Sequence, residues 1–323
     1  MRRRPRAELV LAITGASGGL GSRVLAHLLD SWREPRRLIA CARNPAALAY
    51  LRDAGINVRA GDYDEPRQMV RAFEGVDHVL LISSDGNGDR VSAQHRTVID
   101  AAASTGVQEI TYTSIVDIDP YSCFYFAGVH AQTEEYLART GVRHRILRNG
   151  LYADLLLSLL QDARSTGQLS LPLEPDACVA AIMRDDLARA YVPLLMESAA
   201  EGKVEILTGN RVFSFEEIVE IFGTILGRRV RFERIGHRVY LERLWRKGTP
   251  DWLTHALHTL WMAIAEGRFA VTNNRIEELT GRAPRPLADS LLRLAKDTAD
   301  PVHRSKHPPE SSSGAQRPGH EGR

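Results

Sequence analysis

Lysine is almost missing from this chain of 323 residues. Of 42 Lys and Arg, only Lys203, Lys247, Lys296 and Lys306 are lysines, so the first 202 residues contain none. Any chemistry that needs a lysine ammonium in that stretch is excluded. Cysteine is scarce too: Cys41, Cys123 and Cys178 are odd in number and far apart, with no Cys-x-x-Cys spacing. That argues against a disulfide framework or a zinc site and fits a reducing compartment. Long apolar runs are absent; Val79–Leu80–Leu81–Ile82 has the length of a strand, far short of a membrane span. Excess charge of one sign is lacking as well. A formal charge of +2 leads us to expect neither a nucleic-acid nor a membrane partner.

What is present is ordinary globular composition, 44% hydrophobic and 25% charged, over a length that suggests about two domains. The basic start, Met1-Arg-Arg-Arg-Pro-Arg6, resembles the head of a signal peptide. However, the apolar stretch behind it, Leu9 to Ile13, is short and runs into a glycine turn. Residues 1–7 therefore read as a flexible basic N-terminus, and the protein is expected in the cytoplasm. At the other end, residues 299–323 hold eleven Gly, Pro or Ser and one aliphatic side chain beyond alanine, Val302. Such a segment cannot bury enough surface to offset its ordering entropy, so it reads as a disordered tail.

Between residues 8 and 150, short β-branched runs alternate with helical patterns. Strands are predicted at Leu9–Thr14, Leu38–Ala42, Asn57–Ala60, His78–Ser83, Glu109–Thr113 and His144–Arg148. Helices are predicted near 19–31, 45–54, 66–73, 88–105 and 128–140. Strands apolar on both faces and separated by helices imply a parallel sheet covered on both sides. The fold class is thus α/β, a doubly wound Rossmann sheet. Residues 151–298 read as a smaller α/β lobe over the sheet's carboxyl edge. In it Val204–Leu207 and Val230–Ile235 look like strands, and Ser214-Phe-Glu-Glu217 carries a capping-box signature. Trp252 to Ile264 forms an apolar stripe at helical spacing.

Thr14-Gly15-Ala16-Ser17-Gly18-Gly19-Leu20-Gly21 follows the first strand and opens the first helix. Gly15 permits a tight turn, Gly18 lets amides approach a pyrophosphate, and Gly21 allows close packing of the helix. The helix N-terminus adds unpaired N–H groups and partial positive charge. Gly15, Ser17, Gly18 and Gly21 are therefore expected to bind a dinucleotide. Strand two ends at Ile39-Ala-Cys-Ala-Arg43, and no carboxylate follows until Asp53. A carboxylate there would hold a ribose 2′-hydroxyl. Arg43 instead offers a fork of donors to a 2′-phosphate, so NADP(H) is favoured over NAD.

At this point the chain resembles the atypical short-chain dehydrogenase/reductases of the NmrA-like group. The likeness rests on the Gly-x-x-Gly-x-x-Gly spacing, Ala42-Arg-Asn-Pro45, Gly61-Asp-Tyr-Asp64 and Leu81-Ile-Ser-Ser84. Gln94-His95, Tyr112-Thr-Ser114 and Arg148-Asn-Gly-Leu-Tyr152 strengthen it. Within the group it is most similar to the NAD(P)H:quinone oxidoreductase branch. The resemblance implies that Asp62 and Tyr63 flank the adenine and that Ser83 lies beside the cofactor, with Thr113 another cofactor-binding residue. It also implies that Asn149-Gly150 lines the substrate pocket.

Reductases of the wider superfamily use a serine and a Tyr-x-x-x-Lys pair, in which the lysine lowers the tyrosine pKa. Here Ser114 is in place, but the helix reads His130-Ala-Gln-Thr-Glu134. Tyr-Lys catalysis is excluded for the sheet domain. One reading is an NADPH-dependent reductase of a quinone or related aromatic acceptor, for which positioning matters more than a strong acid. In that reading His130 donates a proton, Glu134 one turn away orients it or raises its pKa, and Asn149 binds the acceptor oxygen. The other is a non-catalytic NADP(H) sensor acting on a protein partner, with the Trp252–Ile264 helix as its surface. A monomer or homodimer suits either. His255 and His258 have no third ligand in the sequence, so no metal is expected. Arg184-Asp-Asp186 reads as a capping segment before a helix.

Overall fold

Leu11, Ala12 and Ile13 are wholly buried and form an interior strand of a seven-stranded sheet whose neighbours are all parallel. The computed structural model describes residues 9–197 and 202–299. The basic segment 1–7 and all but the first residue of the expected tail 299–323 lie outside the described residues.

Through residue 149 the order is β1 (Leu11–Ile13), α1 (Gly21–Ser31), β2 (Leu38–Ala42), α2 (Tyr50–Asp53), β3 (Asn57–Ala60), α3 (Pro66–Ala72), β4 (His78–Leu81), α4 (Gly88–Ser104), β5 (Glu109–Ile115), α5 (Ala127–Arg139) and β6 (Arg143–Asn149). There follow β7 (Leu151–Tyr152), α6 (Asp154–Thr166), β8 (Gln168–Leu171), β9 (Cys178–Val179), β10 (Ala181–Ile182), α7 (Arg184–Met196) and β11 (Lys203–Leu207). The chain continues through β12 (Phe213–Ser214), α8 (Phe215–Leu226), β13 (Arg231–Arg234), α9 (His237–Arg246), α10 (Asp251–Ala265), α11 (Arg275–Thr280) and α12 (Leu287–Ala299).

The sheet order is β11-β6-β5-β4-β1-β2-β3, so the chain reverses direction across the sheet between β1 and β4. In a doubly wound sheet that crevice, at the carboxyl ends of the strands, is where ligands bind. The expected α/β class holds, and β2 and β3 have the expected bounds. The helix expected over 45–54 is instead a 3-10 turn, Pro45–Leu48, followed by the single turn of α2. Its buried side chains, Leu48 and Leu51, are three apart, and a period of three sets both against the sheet.

The chain does not divide cleanly at residue 150. β11 adds a seventh strand beside β6, with Val204 opposite Ile146 and Leu207 opposite Asn149. Helix α7 packs on α1 and α11 on α7, placing Leu187, Tyr191, Leu194 and Ile276 in the same core as Leu11 and Val24. Sequence pattern identifies a strand such as Lys203–Leu207 but not the sheet that it joins. The second core is built from α6, α8, α10, α12 and β8 around Phe215, Phe222, Leu260 and Trp261. Ser214 and Glu217 form the expected capping box, the Glu217 amide donating to Ser214 Oγ at 3.2 Å and the Ser214 amide to Glu217 Oε2 at 3.0 Å. The Trp252–Ile264 stripe is core: Trp261 is wholly buried and its Nε1 donates to the Tyr240 hydroxyl at 2.7 Å. This helix therefore does not present that stripe to a partner.

Candidate active site

The glycine turn leaves β1 at the crevice. Gly15 has φ +58°, a conformation that disfavours a side chain, and the Gly18 amide donates back to its carbonyl at 2.9 Å. A Cβ on Gly21 would lie 2.4 Å from the Gly15 oxygen and 3.0 Å from Ala16 Cα; one on Gly18 would lie 3.2 Å from that oxygen. The amides of Ser17, Gly19 and Leu20 have no backbone acceptor among the described residues. Helix α1 also lacks a side-chain cap and has no acidic residue in its first turn. Several amides and the positive end of a helix thus converge on a surface where Ser17 is exposed, a cradle that fits a pyrophosphate.

One residue of this cradle escaped sequence reasoning. Arg184 reaches over the turn, where a Cβ on Gly19 would sit 3.3 Å from its Nη1. Its guanidinium lies 4.7 Å from the centre of the Tyr152 ring and donates to Asp154 Oδ1 at 3.0 Å. The other oxygen of Asp154 is buried without a hydrogen-bond partner. The expected capping role of Arg184-Asp-Asp186 is overturned, because these residues are the first turn of α7 and Met183 caps it without a side-chain bond. Asp185 instead pairs with His27 at 3.0 Å and Arg285 at 3.2 Å, and Asp186 with Arg189 at 2.8 Å. Nothing local in the sequence connects Arg184 to a turn so distant in the chain.

At the other end of the cradle Arg43 is exposed and makes no hydrogen bond or ion pair among the described residues. A free guanidinium at the end of β2 fits a 2′-phosphate. Asp62 is half-buried; its Oδ1 accepts from the Asp64 amide at 3.1 Å and its own amide donates to Gln68 Oε1 at 2.6 Å. Asp64 is held below the usual carboxylate range, first by hydrogen bonds from Arg90. Tyr63 is buried, and its hydroxyl donates to the Ile82 carbonyl at 2.8 Å and meets Thr14 Oγ1. It props the ends of β1 and β4 beneath Gly15. Ser83 and Thr113 meet one another: the Ser83 amide donates to Thr113 Oγ1 at 2.8 Å, and that hydroxyl donates to Ser83 Oγ at 3.2 Å.

The expected pairing of His130 with Glu134 is not formed. Glu134 accepts from Ser114 Oγ at 2.6 Å and from both Nε and Nη2 of Arg148, at 3.1 and 2.6 Å. His130 is buried instead against the Tyr112 hydroxyl, 2.7 Å from its Nδ1. Burial, reinforced by nearby His95, pushes its pKa down to about 3, so the imidazole is neutral at physiological pH. The expectation of a raised pKa for His130 is therefore reversed. Helix spacing did place Glu134 one turn from His130, but the cation of Arg148 on β6 outcompetes a neutral imidazole for the carboxylate.

Asn149 is 1% exposed and its side chain is committed to two tyrosines. Its Oδ1 accepts from the Tyr191 hydroxyl at 2.8 Å, and its Nδ2 donates to the Tyr152 hydroxyl at 3.2 Å. The expected contact of Asn149 with an acceptor oxygen is corrected accordingly. Asn149 fixes Tyr152, the ring under Arg184, and so acts on the glycine turn from behind. Phe124 packs in the second core and edge-on to Phe126 and Phe269.

A cavity of about 540 Å³ lies between the N-terminal part of α4, α5 and α10, lined by Asn87, Gly88, Tyr125, Val129, Trp252 and His255 among others. The Tyr125 hydroxyl accepts from the Gly88 amide at 2.8 Å. None of the expected cofactor or catalytic residues lines it. His258 is bonded to His237 at 3.0 Å, and among the described residues no group of three or more His, Cys, Asp or Glu could hold a metal. No helix among them is long and apolar enough to cross a membrane.

A glycine-rich cradle that fits a dinucleotide, at the switch point of a doubly wound sheet, defines an atypical short-chain dehydrogenase/reductase. The chain belongs to the NmrA-like family, which it matches over residues 8–286. It is 32% identical to quinone oxidoreductase 2 of Escherichia coli (strain K12) over 285 residues, 88% of this chain and 98% of that one. It is 25% identical to the NAD(P)H azoreductase of Xenophilus azovorans, over 87% of this chain and 96% of the relative. The solved NADPH complex of the NADPH-dependent quinone oxidoreductase from Escherichia coli superposes with a TM-score of 0.81 at 32% identity, over 88% of this chain and 99% of the other. The triphenylmethane reductase of Citrobacter sp., complexed with NADP(H), gives 0.81 at 28% identity, over 89% and 100%.

Proposed function

We propose that the chain is an NADPH-dependent reductase of quinones or similarly conjugated aromatic acceptors. It is an NAD(P)H-dependent reductase by its likeness to the quinone oxidoreductase and the azoreductase, and NADP(H) is its cofactor. The pyrophosphate fits the amides of Ser17, Gly19 and Leu20 with Arg184 above them, and the 2′-phosphate fits Arg43. When bound, NADPH supplies a hydride to the acceptor.

The observation that carries the choice of acceptor is that the proton-donor positions are closed. Ser114 donates to Glu134, Glu134 is held by Arg148, and His130 is neutral and buried against Tyr112. This chain therefore offers no charged general acid there. An acceptor that spreads the incoming charge over a conjugated ring needs none, and its proton can come from solvent. The chain's contribution is then to position the reactants.

Stopped-flow oxidation of NADPH with a panel of benzoquinones and naphthoquinones tests the reading. Many turnovers with at least one of them are expected. Tight NADPH binding with no turnover across the panel overturns the choice of a quinone-like acceptor. A second expectation concerns Arg43. Arg43→Ala should weaken NADPH binding by about 1.5–3 kcal/mol and leave NADH nearly unchanged. Titration of nicotinamide fluorescence reads both, and equal losses would remove the 2′-phosphate role.

A further inference from the structure

The net charge of +2, from which no membrane partner was expected, averages over a strongly uneven surface. Residues 228–247 carry eight basic side chains, Arg228, Arg229, Arg231, Arg234, Arg238, Arg243, Arg246 and Lys247, against Glu233 and Glu242. That is 8 − 2, or +6, which leaves −4 for the rest of the chain. All eight are exposed.

Helix α9 gathers the apolar part of this surface. Tyr240 is buried and faces the second core, so helical spacing directs Arg238, Glu242, Trp245 and Arg246 outward, with Val239 at their edge. Trp245 is 54% exposed and Val239 39%. Internal ion pairs do not cancel the charge. Glu242 serves Arg238 and Arg246 at 3.9 and 3.7 Å, and Glu233 lies 3.8 Å from Arg243. Outside the segment, Glu174 pairs with Arg234 at 2.8 Å and Asp162 with Lys247 at 3.1 Å. Arg229 and Arg231 have no ion pair among the described residues.

We propose that the outward face of α9, with the arginines around it, docks this protein reversibly on an anionic lipid surface. The charge is complementary to anionic headgroups, and an exposed tryptophan among arginines is the side-chain set that settles at the headgroup level. Val239 at the edge of this face adds aliphatic contact that a nucleic acid would not use. Docking follows from this face alone. That it brings the enzyme to acceptors dissolved in lipid rests on the function proposed above.

Co-sedimentation with phosphatidylcholine vesicles, with and without phosphatidylglycerol, tests docking without reference to turnover. Binding is expected only with phosphatidylglycerol, and it should weaken as salt is raised. Each charge near such a surface is worth about a fivefold change in partition, and Arg238→Glu with Arg246→Glu changes the charge by four units, so the pair should lower binding by roughly 600-fold. Trp245→Ala should lower it several-fold, and all these variants should keep the parent's thermal unfolding and NADPH affinity. No sedimentation at low salt, or equal sedimentation of the doubly reversed variant, overturns the proposal. So does retention on duplex DNA without vesicle binding, which would assign the patch to nucleic acid. Loss of the reductase reading would leave the vesicle result standing.

Discussion

A chain carrying Gly21→Ala should bind NADPH at least about a hundredfold more weakly than the parent, a loss near 3 kcal/mol. The added Cβ would stand 2.4 Å from the Gly15 oxygen and 3.0 Å from Ala16 Cα, and both of these are backbone. No flexible side chain can yield. Either α1 moves away from the turn or the turn moves away from α1, and each separates the amides of Ser17, Gly19 and Leu20 from the helix end that reinforces them. A control sits three residues away. A Cβ on Gly18 would meet only the Gly15 oxygen, at 3.2 Å, where a shift of a few tenths of an ångström relieves the contact. Gly18→Ala should therefore disturb the folded chain distinctly less, whatever it does to the approach of the pyrophosphate. Fluorescence titration reads the NADPH affinity of Gly21→Ala. Thermal unfolding of both variants without cofactor gives the comparison, and equal losses of stability would show that close approach of α1 is not what Gly21 provides.

The glycine turn was legible because its requirements are local. A positive φ at Gly15, a near contact at Gly21 and a free helix end all arise within eight consecutive residues. Alternating strands and helices likewise fixed the parallel sheet, since a strand apolar on both faces has few places to go. The reading ran out where partners come from distant elements. His130 and Glu134 share α5, and spacing alone put them together. Arg148 on β6 and Tyr112 on β5 divide them instead, and neither residue is a neighbour in sequence. The resemblance sets Asn149 toward the substrate, yet Tyr191 on α7 occupies its oxygen. The same α7 brings Arg184 to the glycine turn, so one helix explains both a residue misplaced and a residue missed. The basic face of α9 shows the converse case, in which composition over the whole chain hid a local concentration of charge.

Two buried histidines should make the fold sensitive to mild acid. The Ser84 amide donates to His95 Nε2 at 3.1 Å, so the proton of His95 lies on Nδ1, 3.0 Å from Thr133 Oγ1. Thr133 donates onward to the Val129 carbonyl at 2.8 Å. This network has no acceptor for a second imidazole proton. Burial pushes the pKa of His95 down to about 3, as it does that of His130. In the unfolded chain both titrate near 6.5. Between those values the unfolded state binds more protons than the folded one, so stability rises with pH across the window and is lost as pH falls from about 6.5 toward 3. Each histidine contributes about 2 kcal/mol to the loss between pH 7 and pH 5, about 4 kcal/mol together. Against a total of roughly 5–15 kcal/mol this is a large share. Urea denaturation at the two pH values measures it. His130→Asn should be less stable at pH 7 through lost packing, yet show only about half of the parent's drop on going to pH 5. A drop of under about 1 kcal/mol in the parent would mean that both imidazoles can accept a proton in the folded state, and with it that His130 remains available as an acid.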